Sequence, residues 1–264
     1  MEITLVQGIA IAILAIIVGI DFWLEALFIF RPLIVCTLTG IILGDVKLGL
    51  MAGGLTELAF AGLTPAGGTQ PPNPVLAAIM TTVIAYTTGN EPATAIGLAL
   101  PFSFLMQYII LFYYSSFSLF MKRADRAAEN ADTKDLIKLN ILTTVIVAAT
   151  YGIVVFLSAY VAQSAMQSLV EAMPAWLTHG FEIAGGILPA VGFGMLLKVM
   201  LKKEYIAYLL IGFTLASFLQ FSNLLPVAVV GAALALFIFN IDRDRQKAIG
   251  AASISKGEEF SDGI

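Results

Sequence analysis

The chain has 264 residues, 59% of them hydrophobic and only 12% charged, with a formal net charge of −4 from 14 basic and 18 acidic side chains. Soluble domains carry roughly 25% charged residues, so this composition, with a mean hydropathy of +0.93, excludes a soluble protein and indicates a polytopic integral membrane protein. No long basic block exists to bind nucleic acid, and a single cysteine, Cys36, with a single histidine, His179, rules out an intramolecular disulfide and a His/Cys metal centre.

Several apolar runs exceed the roughly 18 residues of a membrane-spanning helix, and they lack the alternation of a barrel strand, so the expected fold class is all-α, with re-entrant or broken helices for the reasons below. The first apolar helix is expected over residues 3–20. Its opening, MEITLVQGIAIAILAIIVGID, begins acidic and shows no small-residue cleavage motif, so it reads as a membrane element and not as a cleaved signal. Asp21 and Glu25 follow one helical turn apart. They are either the interfacial polar end of that helix or a polar wall of a substrate cavity. An acid at the bilayer centre costs about 2.5 to 3.5 kcal/mol, so depth decides between the two.

Arg31-Pro32 breaks the helical pattern, and residues 33–44 are too short to span unaided. Asp45 and Lys47 mark a polar turn, and a second short apolar piece leads into Glu57. Short hydrophobic segments interrupted by Gly and Pro point to discontinuous helices bracketing a transport site. The stretch from Gly53 to Pro74, GGLTELAFAGLTPAGGTQPPNP, fits that description best. Pro71 and Pro72 remove backbone donors, and the glycines disfavour helix. In a membrane, backbone of this kind is tolerated only when buried in protein or lining a cavity.

Residues 75–89 form another short apolar segment closed by the GNEP turn at 89–92, and a long aromatic-rich run follows from Ala93 to Met121. Residues 121–140 are densely charged with both signs, a solvated helix or loop or a docking surface for a cytosolic partner. A span is expected over 139–163, a connection over 164–182 carrying Trp176 and His179, and a return over 183–201. The 35 apolar residues 205–239 are long enough for two spans, turning near Asn223 and Pro226, and a polar tail occupies 242–264. Twelve of the fourteen basic residues fall at 122–138, 198–203 and 243–256. The expected spans put all three groups on one side, which the positive-inside rule makes the cytoplasm.

Glu57 is the leading candidate for substrate contact, because a buried carboxylate accepts strong charge-assisted hydrogen bonds from adjacent hydroxyls. The alternatives are a structural carboxylate bonded to backbone at a helix break, or part of an ion relay. Thr69, Gln70 and Asn73 add donors and acceptors suited to a hydroxyl-rich ligand; equally, they satisfy backbone freed by the prolines. His179 falls in a connection expected outside, away from any cytosolic phosphoryl donor. No phosphate-cradling loop, nucleophile elbow or metal motif is present, so no catalytic phosphoryl site and no cofactor are expected on this chain.

The pieces GGLTELAFAG at 53–62, GGTQPPN at 67–73, DRAAENADT at 125–133 and AGGILPAVGFGMLLK at 184–198 together make the chain resemble the IIC membrane subunit of the mannose/fructose/sorbose family of the bacterial phosphoenolpyruvate-dependent sugar phosphotransferase system. MEITL, DRAAENADT and the terminal EEFSDGI look most like the N-acetylgalactosamine/galactosamine subunits. The resemblance implies a single permease domain over 1–264 in the bacterial inner membrane. It implies a IID membrane subunit as partner, cytosolic IIB and IIA phosphocarriers, surrounding lipid and a trimer of IIC–IID pairs. Sugar would cross by an elevator-like movement and be phosphorylated by IIB. The sugar-binding role transfers by resemblance to Glu57, Gln70 and Asn73, with Asp21 and Thr69 as weaker members. This chain has Ala59 and Phe60 where relatives often carry Trp or Met, which puts stacking on the sugar there in doubt. Competing readings are an ion-coupled sugar transporter using Asp21, Glu25 and Glu57, mannose or sorbose specificity within the same family, and a non-transporting scaffold or receptor.

Overall fold

Proline and glycine punctuate the helices. Pro32, Pro74 and Pro92 each stand in the first turn of a helix, where a missing N–H has no intrahelical partner to lose. Gly44 and Gly89 end two of the helices in the left-handed conformation at φ 86° and 72°, which only glycine adopts without strain. The computed structural model describes residues 2–61, 63, 71–165, 168, 172–219 and 225–258, and every regular element among them is a helix. In chain order these are α1 (Leu5–Leu24), α2 (Pro32–Leu43), α3 (Val46–Phe60), α4 (Pro74–Thr88), α5 (Pro92–Ser116), α6 (Met121–Glu129), α7 (Thr133–Phe156), α8 (Ala175–Met200), α9 (Ile206–Phe218) and α10 (Leu225–Glu258). A 3₁₀ turn joins α5 to α6 over Phe117–Phe120, and a π turn extends α7 over Leu157–Val161.

The chain divides into two compact units, Met1–Val199 and Met200–Ile264. In the first, α4 is the centre. Residues Val75 to Ala85 are buried without interruption, and α1, α2, α3 and α5 pack around them. A helix apolar on every side is stable only in such surroundings. The outward faces of α1 and α7, with Val6, Ile9, Ile13, Val145 and Ile153, are exposed, as expected of surface that meets lipid.

The short apolar pieces are helices too short to span. With 12 and 15 residues, α2 and α3 rise about 18 and 22 Å against a hydrocarbon core of about 30 Å. They fold back on each other as a hairpin, closed by Asp45, whose side chain accepts the Leu48 N–H at 2.9 Å. Their backbones touch at Gly40 and Gly49: a Cβ on Gly40 would lie 2.7 Å from the Gly49 Cα. Helix α4, with 15 residues, is equally short. Among the described residues, five helical stretches, beginning at Leu5, Pro92, Thr133, Ala175 and Leu225, are long and apolar enough to cross a membrane.

The charged stretch after α5 is an exposed helical hairpin. α6 turns through Asn130–Asp132, and Asp132 caps α7 by accepting the Lys134 and Asp135 N–H groups, both at 3.1 Å. Arg123 clasps Asp135 across the turn at 2.5 and 2.9 Å. Two expectations shift. Trp176 and His179 lie in the first turns of α8 and not in a connection: the helix begins directly after Pro174, and its mixed polar first turns read as loop. In the second unit, α9 has only 13 residues where a full span was expected, because the backbone at Leu219 turns extended (φ −97°, ψ 119°). The expected turn residue Asn223 lies outside the described residues, and Pro226 stands in the first turn of α10.

Candidate functional site

The open end of the α2–α3 hairpin carries Glu57. Arg31 is the residue preceding α2, and it provides no side-chain cap for that helix. Glu57, one turn from the end of α3, supplies what is missing: its Oε2 accepts the Leu33 N–H at 3.2 Å, and its Oε1 pairs with the Arg31 guanidinium. A carboxylate there satisfies an orphan donor and places negative charge at the positive end of α2. The backbone-bonded alternative for Glu57 is therefore realised. It does not use up the group, since each carboxylate oxygen has a further lone pair and the side chain stays 23% exposed.

Asp21 is 5% exposed and faces the loop behind Arg31. Its two oxygens accept the N–H groups of Leu27 at 2.6 Å and Phe30 at 3.2 Å. That loop needs holding, because Glu25 and Phe28 sit at φ 48° and 58°, each costing about 1 to 3 kcal/mol for a residue with a Cβ. Phe30 packs edge-on against Phe22 with ring centroids 5.1 Å apart and anchors the loop in the core. Asp21 thus fixes the segment that delivers Arg31 to Glu57. Glu25 ends α1 as an exposed residue. Of the three acids of the ion-relay reading, Asp21 and Glu57 are held by separate partners and Glu25 is exposed.

Asn73 is 2% exposed and caps α4, its Oδ1 accepting the Leu76 N–H at 2.9 Å. Its Nδ2 donates to the Tyr151 hydroxyl on α7 at 2.6 Å. Its backbone N–H donates to the Ser103 carbonyl at 3.2 Å, and the Ser103 Oγ donates to the Asn73 carbonyl at 2.8 Å. Three of these hydrogen bonds tie the start of α4 to its neighbours, two to α5 and one to α7. The ends of α3 and α4 that carry Glu57 and Asn73 are joined by packing of Ala59 and Phe60 on Ala77, with Leu63 and Leu188 of α8 against them. Leu188 lies in the AGGILPAVGFGMLLK stretch, and its helix reaches α5 where Phe181 covers Gly97.

Thr69 and Gln70 lie outside the described residues. Of the remaining sequence candidates, Glu57 and Asn73 sit on adjoining helix ends, and Asp21 connects to Glu57 through the Arg31 loop. Arg31, Ser103 and Tyr151 were not singled out from the sequence. Arg31 carried one signal, a cation placed directly before a helix-starting proline. Tyr151 carried none, as an aromatic residue inside an apolar run.

A family model described as PTS system sorbose-specific IIC component matches residues 5–237. The chain is 63% identical over 265 residues, covering 100% of it and 99% of the relative, to the N-acetylgalactosamine permease IIC component 1 of Escherichia coli strain K12. Among solved structures it is similar to one titled "Structure of membrane protein", with a TM-score of 0.81, 29% identity and coverage of 90% of this chain and 97% of the other. It is also similar to a chain of the mannose transporter ManYZ in complex with microcin E492, with a TM-score of 0.58, 30% identity and coverage of 91% and 97%.

Proposed function

The chain belongs to the sorbose-specific IIC component family of the phosphotransferase system, and from that membership we propose that it imports N-acetylgalactosamine, with Glu57, Gln70 and Asn73 contacting the sugar. It is a sugar-translocating IIC permease subunit and a multi-pass protein of the bacterial inner membrane. The observation that carries the choice of sugar is the 63% identity, over essentially the full length of both chains, to the N-acetylgalactosamine permease IIC component 1 of Escherichia coli.

The likeness to a chain of the ManYZ transporter supports a second membrane subunit of the IID type as partner, and we propose a trimer of IIC–IID pairs. Phosphorylation by cytosolic IIB, itself charged by IIA, completes uptake. Sugar crosses by an elevator-like movement. In support, Asp21, Arg31, Glu57 and Asn73 all belong to the compact unit Met1–Val199, so one body carries the described part of the site. Thr69 and Asp21 are the weaker members of the sugar-binding set, and the backbone bonds of Asp21 suit a role in holding the Arg31 loop. Both compact units serve one permease domain. Titration of the purified complex of this chain with a IID subunit against N-acetylgalactosamine, galactosamine, mannose and sorbose tests the proposal. N-acetylgalactosamine is expected to bind tightest, and a clear preference for mannose or sorbose would overturn the assignment.

A further inference from the structure

We infer that Arg31 is a specificity-determining residue: by neutralising Glu57 it makes the site prefer a neutral acetamido sugar over the protonated amino sugar of the same stereochemistry. The inference rests on the reading of Glu57 as a sugar contact.

An unpaired carboxylate in a partly desolvated site attracts any cationic ligand. A protonated 2-amino sugar would then outbind its N-acetylated counterpart, because its ammonium group carries a full charge that the acetamide lacks. A permease for the acetylated sugar needs the hydrogen-bonding capacity of the carboxylate without its net field. The pair provides both. Arg31 holds one oxygen of Glu57 and the Leu33 N–H the other, while the 23% and 42% exposure of the two side chains leaves a face of the pair open to a ligand. The positive charge of the guanidinium cancels the net field of the carboxylate. It would also repel an ammonium group brought beside it.

Arg31 is positioned for this task at some expense. The loop before it contains two left-handed non-glycine residues, Glu25 and Phe28, and is held by both oxygens of Asp21. A cap for the start of α2 alone would not require a cation: Glu57 already supplies the acceptor and the negative charge, and a helix N-terminus does not favour an arginine. Selection against the cationic sugar gives the arginine a purpose that capping does not, by building repulsion against the wrong ligand.

The test measures binding of N-acetylgalactosamine and galactosamine to the complex of this chain with a IID subunit, at a pH below the pKa of the sugar amine. In Arg31→Gln the ratio of galactosamine to N-acetylgalactosamine affinity is expected to rise about tenfold, the equivalent of about 1.4 kcal/mol. Arg31→Lys should keep the wild-type ratio. In Glu57→Gln, which leaves the cation alone, the ratio should fall. The double variant R31Q/E57Q restores neutrality and should return the ratio towards wild type; it also serves if the single Arg31 variant fails to assemble. Parallel weakening of both sugars in every variant, with no change in ratio, would overturn the inference and leave Glu57 as a sugar contact. Unchanged binding of both sugars in every variant would remove the pair from the sugar site altogether and sink the reading beneath it.

Discussion

The Asn73 amide donates to the Tyr151 hydroxyl at 2.6 Å across 78 positions of sequence, and both side chains are buried. This bond couples the residue that starts the central helix α4 to the last third of α7. Leaving a buried donor unpaired costs about 1 to 3 kcal/mol, so Tyr151→Phe is expected to lower the stability of the solubilised complex by that amount. Because Asn73 loses its lateral anchor, the apparent KM for sugar uptake should rise with a smaller change in maximal rate. Thermal unfolding and initial-rate uptake measure the two effects. An unchanged KM with lowered stability would confine Tyr151 to a structural role.

Glu57→Ala removes the acceptor of the Leu33 N–H, the partner of Arg31 and the proposed sugar contact together. Uptake by vesicles containing all partner subunits is expected to be abolished while the complex still assembles, since Arg31 is 42% exposed and can be solvated without its partner. Wild-type uptake by the assembled variant would remove Glu57 from the site.

Asp21 serves as a clamp for a loop, and Asp21→Ala frees two N–H donors at once. A loss of about 1 to 3 kcal/mol is expected from the buried Phe30 N–H left unpaired, with less from the part-buried Leu27 N–H, seen as a lowered unfolding temperature of the complex. Uptake by wild-type vesicles should persist when the proton gradient is collapsed, provided phosphoenolpyruvate and the soluble components are supplied. Uptake that stops with the gradient would restore the relay role for Asp21 and Glu25.

The α2–α3 hairpin separates two glycines that look alike in sequence. A Cβ at Gly40 would lie 2.6 Å from the Asp45 carbonyl oxygen and 2.7 Å from the Gly49 Cα, whereas at Gly54 nothing lies within 4 Å. Gly40→Ala must therefore push two backbones apart, with an expected cost of about 1 to 3 kcal/mol. Gly54→Ala should be neutral or should stabilise by up to about 1 kcal/mol through helix propensity. Paired thermal unfolding of the two variants checks this, and equal effects would discount the close approach.

Much of the architecture is legible in local signals. The helix-starting prolines at 32, 74 and 92, the closing glycines at 44 and 89, and the shortness of the apolar pieces between them all correspond to helix ends and half-length helices in the structure. The start of α8 was not legible, because WLTHGFE mixes apolar and polar residues without a strong period. Its helical state depends on packing that Phe181 and Gly185 make against Gly97 and Ala93 of α5. For the site, sequence pointed to Glu57, Asn73 and Asp21 because polar groups in a membrane must serve some purpose. It could not supply their partners, which lie 26 positions away for Arg31 and Glu57 and 78 for Asn73 and Tyr151.

The sequence by itself determined the membrane environment, the helical class, the short broken elements and the kinship with sugar permeases, because hydrophobic length and Pro/Gly punctuation are local properties that no distant contact overrides in lipid. Only the tertiary structure decided what the polar groups do. Hydrogen bonds and ion pairs are short-ranged and directional, so the capping role of Glu57, the clamp at Asp21 and the anchoring of Asn73 exist only once α1, α2, α3 and α5 are packed around α4, with α7 against α1.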